Sequence, residues 1–140
     1  MKLLIDTWGW ITYSNRREER HVEIRTFYND FRLKKGILYT TDYILDETIT
    51  LLFRKLPFET AEEETKEIIT AIDNNYLILE WINEERFRKA RDLRLKFRDK
   101  PRISFTDLTS MVVMEEVGIQ DVLTEDDHFV HVGMGFKKLP

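Results

Sequence analysis

The stretch Lys2-Leu3-Leu4-Ile5-Asp6-Thr7 is the starting point for the fold, because a short apolar run ends abruptly at an acidic residue. Brief apolar runs bounded by turn residues are typical of buried strands. Lys2–Ile5 therefore predicts a strand, which Asp6-Thr7 and the flexible Gly9 end. Ligands of open parallel sheets bind beyond the carboxyl ends of the strands, so Asp6 is a candidate functional residue. The alternative is an aspartate that caps a turn or helix.

Beyond this strand, the apolar pattern switches repeatedly between helical and extended spacing. It predicts further strands at Ile37–Thr40, Tyr76–Ile82 and Ile119–Leu123, and a short edge strand within Gly135–Leu139. Helices are expected from about Glu19 to Lys34, at Tyr43–Lys55, at Thr60–Asn74, in the basic segment Arg86–Arg102 until Pro101 breaks it, and at Ser104–Val117. Strands that alternate with helices predict a parallel sheet covered on both faces, in a three-layer α/β domain.

Length and composition fit one globular domain spanning residues 1–140, with 42% hydrophobic and 34% charged residues. The chain has no cysteine, which excludes disulfides, thiolate metal sites and cysteine nucleophiles and fits a reducing compartment such as the cytoplasm. No apolar run approaches the roughly 18 residues of a membrane span. Asp6 interrupts the only apolar stretch near the N-terminus, so a signal peptide is not expected.

The charge is distributed unevenly. The net charge of −4 is unlike that of most dedicated nucleic-acid binders, yet Arg86–Arg102 carries nine basic residues against two acidic ones. A basic segment on an acidic protein can bind a polyanion or an acidic partner. A solvated helix face is the more common explanation and the preferred one.

Three further acidic residues lie where a surface charge is not expected. Glu47 falls three residues after Ile44, on or beside the apolar stripe of its helix, and Asp107 shares a helical row with two methionines. Asp126 follows the strand that ends at Leu123. Each has a structural alternative: a glutamate at the edge of the stripe, an acid suited to the first turn of a helix, and a turn aspartate.

The set is more informative than its members. Asp6 and Asp126 end strands, whereas Glu47 and Asp107 are expected to point inward from the first turns of helices, so all four converge on one edge of the predicted sheet. Clustered carboxylates repel one another unless a cation balances them. Oxygen ligands without cysteine favour Mg²⁺ or Mn²⁺ over zinc. Such cations promote phosphodiester cleavage.

Four sequence blocks resemble the motifs of PIN-domain nucleases, especially the toxin subunits of VapBC-type toxin–antitoxin pairs. They occur in the family's order and spacing and cover the whole chain. The blocks are the first strand with Asp6-Thr7, then Thr41-Asp42-Tyr43-Ile44-Leu45-Asp46-Glu47-Thr48, Ile103-Ser104-Phe105-Thr106-Asp107 and Leu123-Thr124-Glu125-Asp126-Asp127-His128-Phe129.

This resemblance implies a PIN-like α/β/α domain with a mainly parallel sheet of about five strands. It also implies a Mg²⁺- or Mn²⁺-dependent endoribonuclease, an RNA substrate, an antitoxin partner and a homodimer. Asp6 and Asp107 would be the principal metal ligands, and Glu47 and Asp126 would complete the catalytic site. Thr7 and Thr124 would support it. Asp127 doubles the last acidic position and is an alternative to Asp126.

Basic and aromatic residues near the motifs suggest how RNA would be held. Arg16, Arg17 and Arg20 flank the first motif and are candidate RNA-binding residues. Trp8, Trp10 and Phe129 could stack on an unpaired base, although core packing is the preferred explanation for them. His128 and His131 lack further ligands for a zinc site. The principal functional alternative is a PIN-like scaffold that binds RNA or protein without catalysis.

Overall fold

The computed structural model describes residues 1–140 and contains five strands and seven helices. The first half comprises β1 (Lys2–Ile5), α1 (Thr7–Ser14), α2 (His21–Leu33), β2 (Ile37–Thr41), α3 (Asp42–Lys55) and α4 (Phe58–Asp73). The second half comprises β3 (Leu77–Glu80), α5 (Glu84–Lys96), α6 (Phe105–Val117), β4 (Asp121–Leu123), α7 (His128–His131) and β5 (Lys137–Leu139).

All five strands form one parallel sheet in the order β3-β2-β1-β4-β5. The first strand is central, and its Leu4 pairs with Tyr39 of β2 and with Val122 of β4. The three-layer α/β/α arrangement predicted from the sequence is confirmed. Because β1 and β4 are neighbours and parallel, Asp6 and Thr124, which directly follow them, emerge at the same edge of the sheet.

All five predicted helices are present, with ends shifted by a few residues, and polar side chains mark where three of them begin. The side chains of Thr41, Asn83 and Ser104 accept hydrogen bonds from the backbone N–H groups of Ile44, Arg86 and Asp107, respectively. These caps satisfy N–H groups that have no partner within the helix. The caps of α3 and α6 lie at the sheet edge that carries the acidic residues.

The apolar spacing predicts neither helix α1 nor the short helix α7. The sequence of α1, Thr-Trp-Gly-Trp-Ile-Thr-Tyr-Ser, shows no polar face because nearly all of its residues are buried. A helix that is surrounded by the core lacks the one-sided apolar stripe by which a helix is predicted from its sequence. Gly9 and the β-branched residues also have low helix propensity, so tertiary packing overrides the local preference at this position.

Several elements are shorter than predicted, and the strand expected at Ile119–Leu123 is limited to Asp121–Leu123. The strand expected at Tyr76–Ile82 is limited to Leu77–Glu80, and Trp81, which directly follows it, is 64% exposed. The helix of the basic segment ends at Lys96, where the Arg94 guanidinium donates to the carbonyl oxygens of Phe97, Lys100 and Ile103. These bonds hold the loop that leads into α6.

The core consists of 29 buried hydrophobic residues between the sheet and the helices. Helix α1 packs very closely on the end of β4 at Gly9, where an added Cβ would lie 2.9 Å from the Leu123 carbonyl oxygen and 3.0 Å from Leu123 Cγ. Only glycine allows this approach. None of the helices is both long enough and apolar enough to span a membrane.

Candidate active site

A cavity of about 490 Å³ opens at the carboxyl ends of β1 and β4. It is unusually rich in carboxylates, and the predicted acidic residues of all four sequence blocks line it. Its acidic lining residues are Asp6, Glu18, Glu47, Asp107, Glu125 and Asp126. The motifs therefore predict the convergence of four carboxylates that are distant in sequence, whereas they give no indication of Glu18 and Glu125.

Asp6 is the most enclosed acid of the cavity at 6% exposure. Its backbone N–H donates to the Leu123 carbonyl oxygen at 3.2 Å, and its Oδ2 accepts a hydrogen bond from Thr124 Oγ1 at 2.9 Å. The pKa of Asp6 is raised from 3.8 to about 6. Burial is the largest cause and the negative charges of Glu47 and Asp126 add to it, whereas hydrogen bonds from Thr124 and from the Thr7 backbone oppose it. The charged form of the Asp6 carboxylate is therefore less favourable in this site than in water.

Asp107 faces the same cavity from the first turn of α6 and is 8% exposed. The Ser104 hydroxyl oxygen accepts a hydrogen bond from the Asp107 backbone N–H at 3.0 Å. Burial is the largest cause of a rise in the pKa of Asp107 to about 8, followed by the charge of Asp6 and by contact with the Asp126 carboxyl group. Without a cation, Asp107 therefore tends to retain a proton near neutral pH.

Asp126 is positioned by its own loop. Its backbone N–H donates to Thr124 Oγ1 at 3.1 Å, and its Oδ1 accepts from the His128 backbone N–H at 2.8 Å. The His128 ring nitrogen Nδ1 lies 3.0 Å from the same oxygen. Asp107, Asp126 and His128 each offer one atom that could bind a metal ion, and these three atoms all lie within 4.8 Å of one another. His128 thus belongs to the site, although the sequence motifs do not assign it there.

Glu47 lines the cavity together with the other three acids, as expected, but it is exposed rather than turned inward like Asp6 and Asp107. It lies in the second turn of α3, between buried Ile44 and Leu45 on one side and Thr48 on the other, and its carboxylate remains exposed. Its charge nevertheless contributes to the raised pKa of Asp6. Glu47 thus occupies the edge of the apolar stripe, which was the alternative interpretation.

Asp127 does not line the cavity. Its Oδ1 pairs with Lys138 Nζ of β5 at 2.6 Å, and this hydrogen bond lowers the pKa of Asp127. The structure therefore does not bring Asp127 together with the other acids. The two adjacent aspartates thus have different partners: Asp126 contacts Thr124 and His128, whereas Asp127 pairs with Lys138.

The donor set fits a hard divalent cation. Asp6, Asp107 and Asp126 offer carboxylate oxygens, the ligands that Mg²⁺ and Mn²⁺ prefer, and His128 adds a nitrogen that Mn²⁺ also accepts. Both Asp6 and Asp107 have raised pKa values, which a cation would reverse by favouring their charged forms. The buried hydroxyl of Thr7, another lining residue, has no hydrogen-bond partner and is available to a ligand or water in the cavity.

The predicted RNA-binding arginines lie in different surroundings. Arg20 pairs with Glu23 and Glu125 and lies over the Trp8 ring at 5.2 Å. Arg16 and Arg17 form no ion pair and line a second cavity. Lys55 and Arg102 are the bases that line the acidic cavity, yet no motif indicates Lys55, and Arg102 stands out in the sequence only as the end of the basic segment.

Among the candidate stacking residues, only Trp8 lines the cavity and is partly exposed. Trp10 is 2% exposed and its Nε1 donates to Thr40 Oγ1 at 3.2 Å, while Phe129 is fully buried. Core packing, the preferred interpretation, therefore holds for these two residues.

The sheet order and the acidic edge agree with a known family. A family model described as the PIN domain matches residues 3–134, and the chain belongs to that family. Among known proteins, it is similar to a "VapC ribonuclease" of Archaeoglobus fulgidus, with 28% identity over 131 residues that cover 92% of this chain and 80% of the relative. It is 24% identical to the "23S rRNA-specific endonuclease VapC20" of Mycobacterium tuberculosis, covering 94% of each.

Solved structures agree on the fold. The crystal structure of Mycobacterium tuberculosis VapC20, described as a sarcin-ricin loop cleaving toxin, matches with a TM-score of 0.78 and 26% identity over 94% of this chain and 95% of that one. VapBC2 from Rickettsia felis, bound to a promoter DNA fragment, matches with a TM-score of 0.72 over 99% and 98% of the two chains. At 13% identity, the latter likeness supports the fold alone.

Proposed function

We propose that this protein is a divalent-metal-dependent endoribonuclease that hydrolyses RNA phosphodiester bonds and acts as the toxin of a toxin–antitoxin pair. The observation that carries the proposal is the convergence of Asp6, Asp107 and Asp126 in one cavity at the sheet edge. The proposal draws further support from PIN family membership and from two relatives that are named ribonuclease and rRNA endonuclease.

Asp6, Asp107 and Asp126 would hold Mg²⁺ or Mn²⁺, with Glu47 completing the acidic set from the rim. When bound, such a cation supplies positive charge beside the reacting phosphate and makes water easier to deprotonate. The chain would hold the carboxylates in place through Thr124 and through the cap of α6. Water would then attack phosphorus, the bond to the 3′ oxygen would break, and the product would carry a 5′-phosphate.

The biological setting follows from the same relatives. An antitoxin protein is the expected partner, since a VapC ribonuclease and a solved structure described as a toxin are both similar to this chain over most of its length. We further propose that residues 1–140 act as one domain, that the protein forms a homodimer, and that it works in the cytoplasm, with RNA as substrate.

The test is a cleavage assay with labelled tRNA and an RNA hairpin that contains the sarcin-ricin loop. Each RNA is incubated with Mg²⁺, Mn²⁺ or EDTA, using the parent protein and Asp107→Asn. Asp73→Asn is the matched control, because Asp73 is an exposed acid at the end of α4, outside the cavity. We expect metal-dependent cleavage by the parent and by Asp73→Asn, and at least a hundredfold loss in Asp107→Asn.

Circular dichroism establishes that each variant is folded. If Asp107→Asn cuts RNA at the parental rate, the proposed site is wrong. If the folded parent leaves both RNAs intact with either metal but binds them, the non-catalytic scaffold becomes the better account.

A further inference from the structure

The acidic cavity does not end at the carboxylates. A second cavity of about 640 Å³ lies next to it, and Lys55, at the end of α3, lines both. The rims are also continuous along the chain: Thr12 and Glu18 line the first cavity, while residues 14–17 line the second. The two cavities are thus consecutive parts of one surface.

Four bases along this surface are free of intramolecular partners. Arg16, Arg17, Lys55 and Arg102 are all exposed, and none forms an ion pair or a side-chain hydrogen bond. By contrast, Arg20, Arg86 and Lys89 are each paired with two glutamates. Lys55 and Arg102 remain unpaired although six carboxylates line their cavity, so they are available to an external anion.

The four bases differ in which of the two cavities they line. Arg102 precedes the cap of α6 on the Asp107 side, Lys55 lies between the two cavities, and Arg16 and Arg17 line the second cavity only. The second cavity also contains Arg25, which lies over the Tyr13 ring at 4.4 Å, and Glu63, Glu64 and Glu67 of α4. Apart from Lys55, the positive charge without an intramolecular partner in this cavity therefore comes from Arg16 and Arg17.

We propose that the two cavities form a path for a single RNA strand, with Lys55 binding the phosphate next to the one that is cleaved and Arg16 and Arg17 binding the following phosphate in the second cavity. Arg102, which lines the acidic cavity only, binds the backbone there. The proposal rests on the proposed ribonuclease function and names residues that position its substrate. A phosphodiester backbone supplies successive negative charges, and separate cations along its path can each bind one of them.

The path also resolves an electrostatic conflict. An acidic cavity repels RNA, and cations that flank the carboxylates would lower this repulsion without neutralising the carboxylates themselves. Because the contacts are to phosphate, they should act on all sequences equally and weaken with salt.

The experiment measures RNA binding in the Asp107→Asn background, where cleavage does not interfere. A labelled single-stranded oligonucleotide that the parent cleaves is titrated at fixed Mg²⁺ and several salt concentrations. The variants are Lys55→Gln, Arg102→Gln and the pair Arg16→Gln with Arg17→Gln. Arg98→Gln is the matched control, since Arg98 is an exposed, unpaired base of the same basic segment outside both cavities.

Each removed phosphate contact should weaken binding about fivefold at low salt and lower the slope of log affinity against log salt by about 0.7. Arg98→Gln should change neither. In the active protein, Lys55→Gln should raise KM for RNA, while the thermal shift produced by Mn²⁺ stays at the parental value. That unchanged metal response separates substrate binding from damage to the carboxylate site.

Unchanged affinity and KM in Lys55→Gln and in the Arg16/Arg17 pair, with cleavage by the parent intact, would overturn the path and leave the proposed function standing. Equal weakening by Arg98→Gln would also overturn it, because the effect would then reflect net charge alone. Failure of the parent to cleave any RNA refutes the function itself and is observed separately.

Discussion

Thr124 Oγ1 donates a hydrogen bond of 2.9 Å to Asp6 Oδ2, joining residues that are 118 positions apart in the chain. The same oxygen accepts the Asp126 backbone N–H at 3.1 Å. One hydroxyl group therefore sets the relative positions of two acids at the ends of neighbouring strands, and its proton is directed to Asp6. The threonine that the sequence suggested as a support has a defined structural task.

Replacing Thr124 with Val should impair the site in a pH-dependent way. The lost hydrogen bond is one that lowers the pKa of Asp6, so this pKa should rise further, and cleavage should decrease more at pH 6 than at pH 8.5. The free energy of unfolding should decrease by about 1–3 kcal/mol, because the Asp126 N–H loses its acceptor. Thr124→Ser retains the hydroxyl and should restore both properties. If the ratio of cleavage activity at pH 6 to that at pH 8.5 is the same in Thr124→Val and Thr124→Ser, this role of Thr124 is contradicted.

The metal-free protein should become less stable as the pH rises from about 4 to about 8. Asp6 and Asp107 have raised pKa values in the folded state, so the folded protein binds more protons than the unfolded chain within this window. The free energy of unfolding then falls with increasing pH. Urea unfolding at pH 5 and pH 8.5 in EDTA should show this decrease.

Asp107→Asn isolates the contribution of that carboxyl group. It should stabilise the metal-free protein at pH 8.5 by on the order of 1–3 kcal/mol and have a smaller effect at pH 5. Adding Mn²⁺ at pH 8.5 should stabilise the parent but not this variant. A variant that is less stable than the parent at pH 8.5 in EDTA would show that Asp107 does not carry the expected electrostatic cost.

His128 should matter for the site, whereas His131, three residues along α7, should not. The backbone N–H and ring of His128 both contact Asp126 Oδ1, at 2.8 and 3.0 Å. Groups that orient a ligand typically contribute about 10–100-fold to metal affinity or activity. We expect His128→Ala to lower Mn²⁺ affinity, measured calorimetrically, by about tenfold, and His131→Ala to leave it unchanged. Similar affinities for the two variants would contradict a role for His128 either as a metal ligand or in orienting Asp126.

Gly9→Ala should destabilise the fold although alanine favours helices. The added methyl group would lie 2.9 Å from the Leu123 carbonyl oxygen and 3.1 Å from Ile5 Cγ2, so α1 would be displaced from the sheet. Overpacking of this kind costs about 1–3 kcal/mol. Because Leu123 and Ile5 precede Thr124 and Asp6, Mn²⁺ affinity should decrease as well.

Gly133→Ala is the control for this effect. Its methyl group would contact nothing within 4 Å, and its cost of about 1–2 kcal/mol would come only from the backbone φ of 68°. Thermal unfolding and calorimetry should therefore show destabilisation without a change in metal affinity. If Gly9→Ala raises the unfolding temperature, the contact between α1 and β4 has room for a methyl group and this prediction is wrong.

The alternation of strands and helices can be predicted from the sequence, because the spacing of apolar residues in each amphipathic helix indicates which face is buried. Asp6, Asp107 and Asp126 stand out because each lies at a junction where a strand ends or a helix begins. Helix α1 is not predicted for the opposite reason. A helix that is buried on nearly all sides shows no alternation of apolar and polar residues at helical spacing.

The sequence by itself determined the parallel α/β architecture and the set of acids that meet at one edge. The spacing of apolar residues shows which residues are buried in each helix or strand, and the residues that follow each apolar run show where a strand ends. Only the tertiary structure decided which neighbours these acids have. It placed Glu47 at an exposed rim, turned Asp127 towards Lys138, and added His128 and Lys55 to the site. These outcomes depend on side-chain direction and on contacts between distant residues, and neither leaves a periodic signal in the sequence.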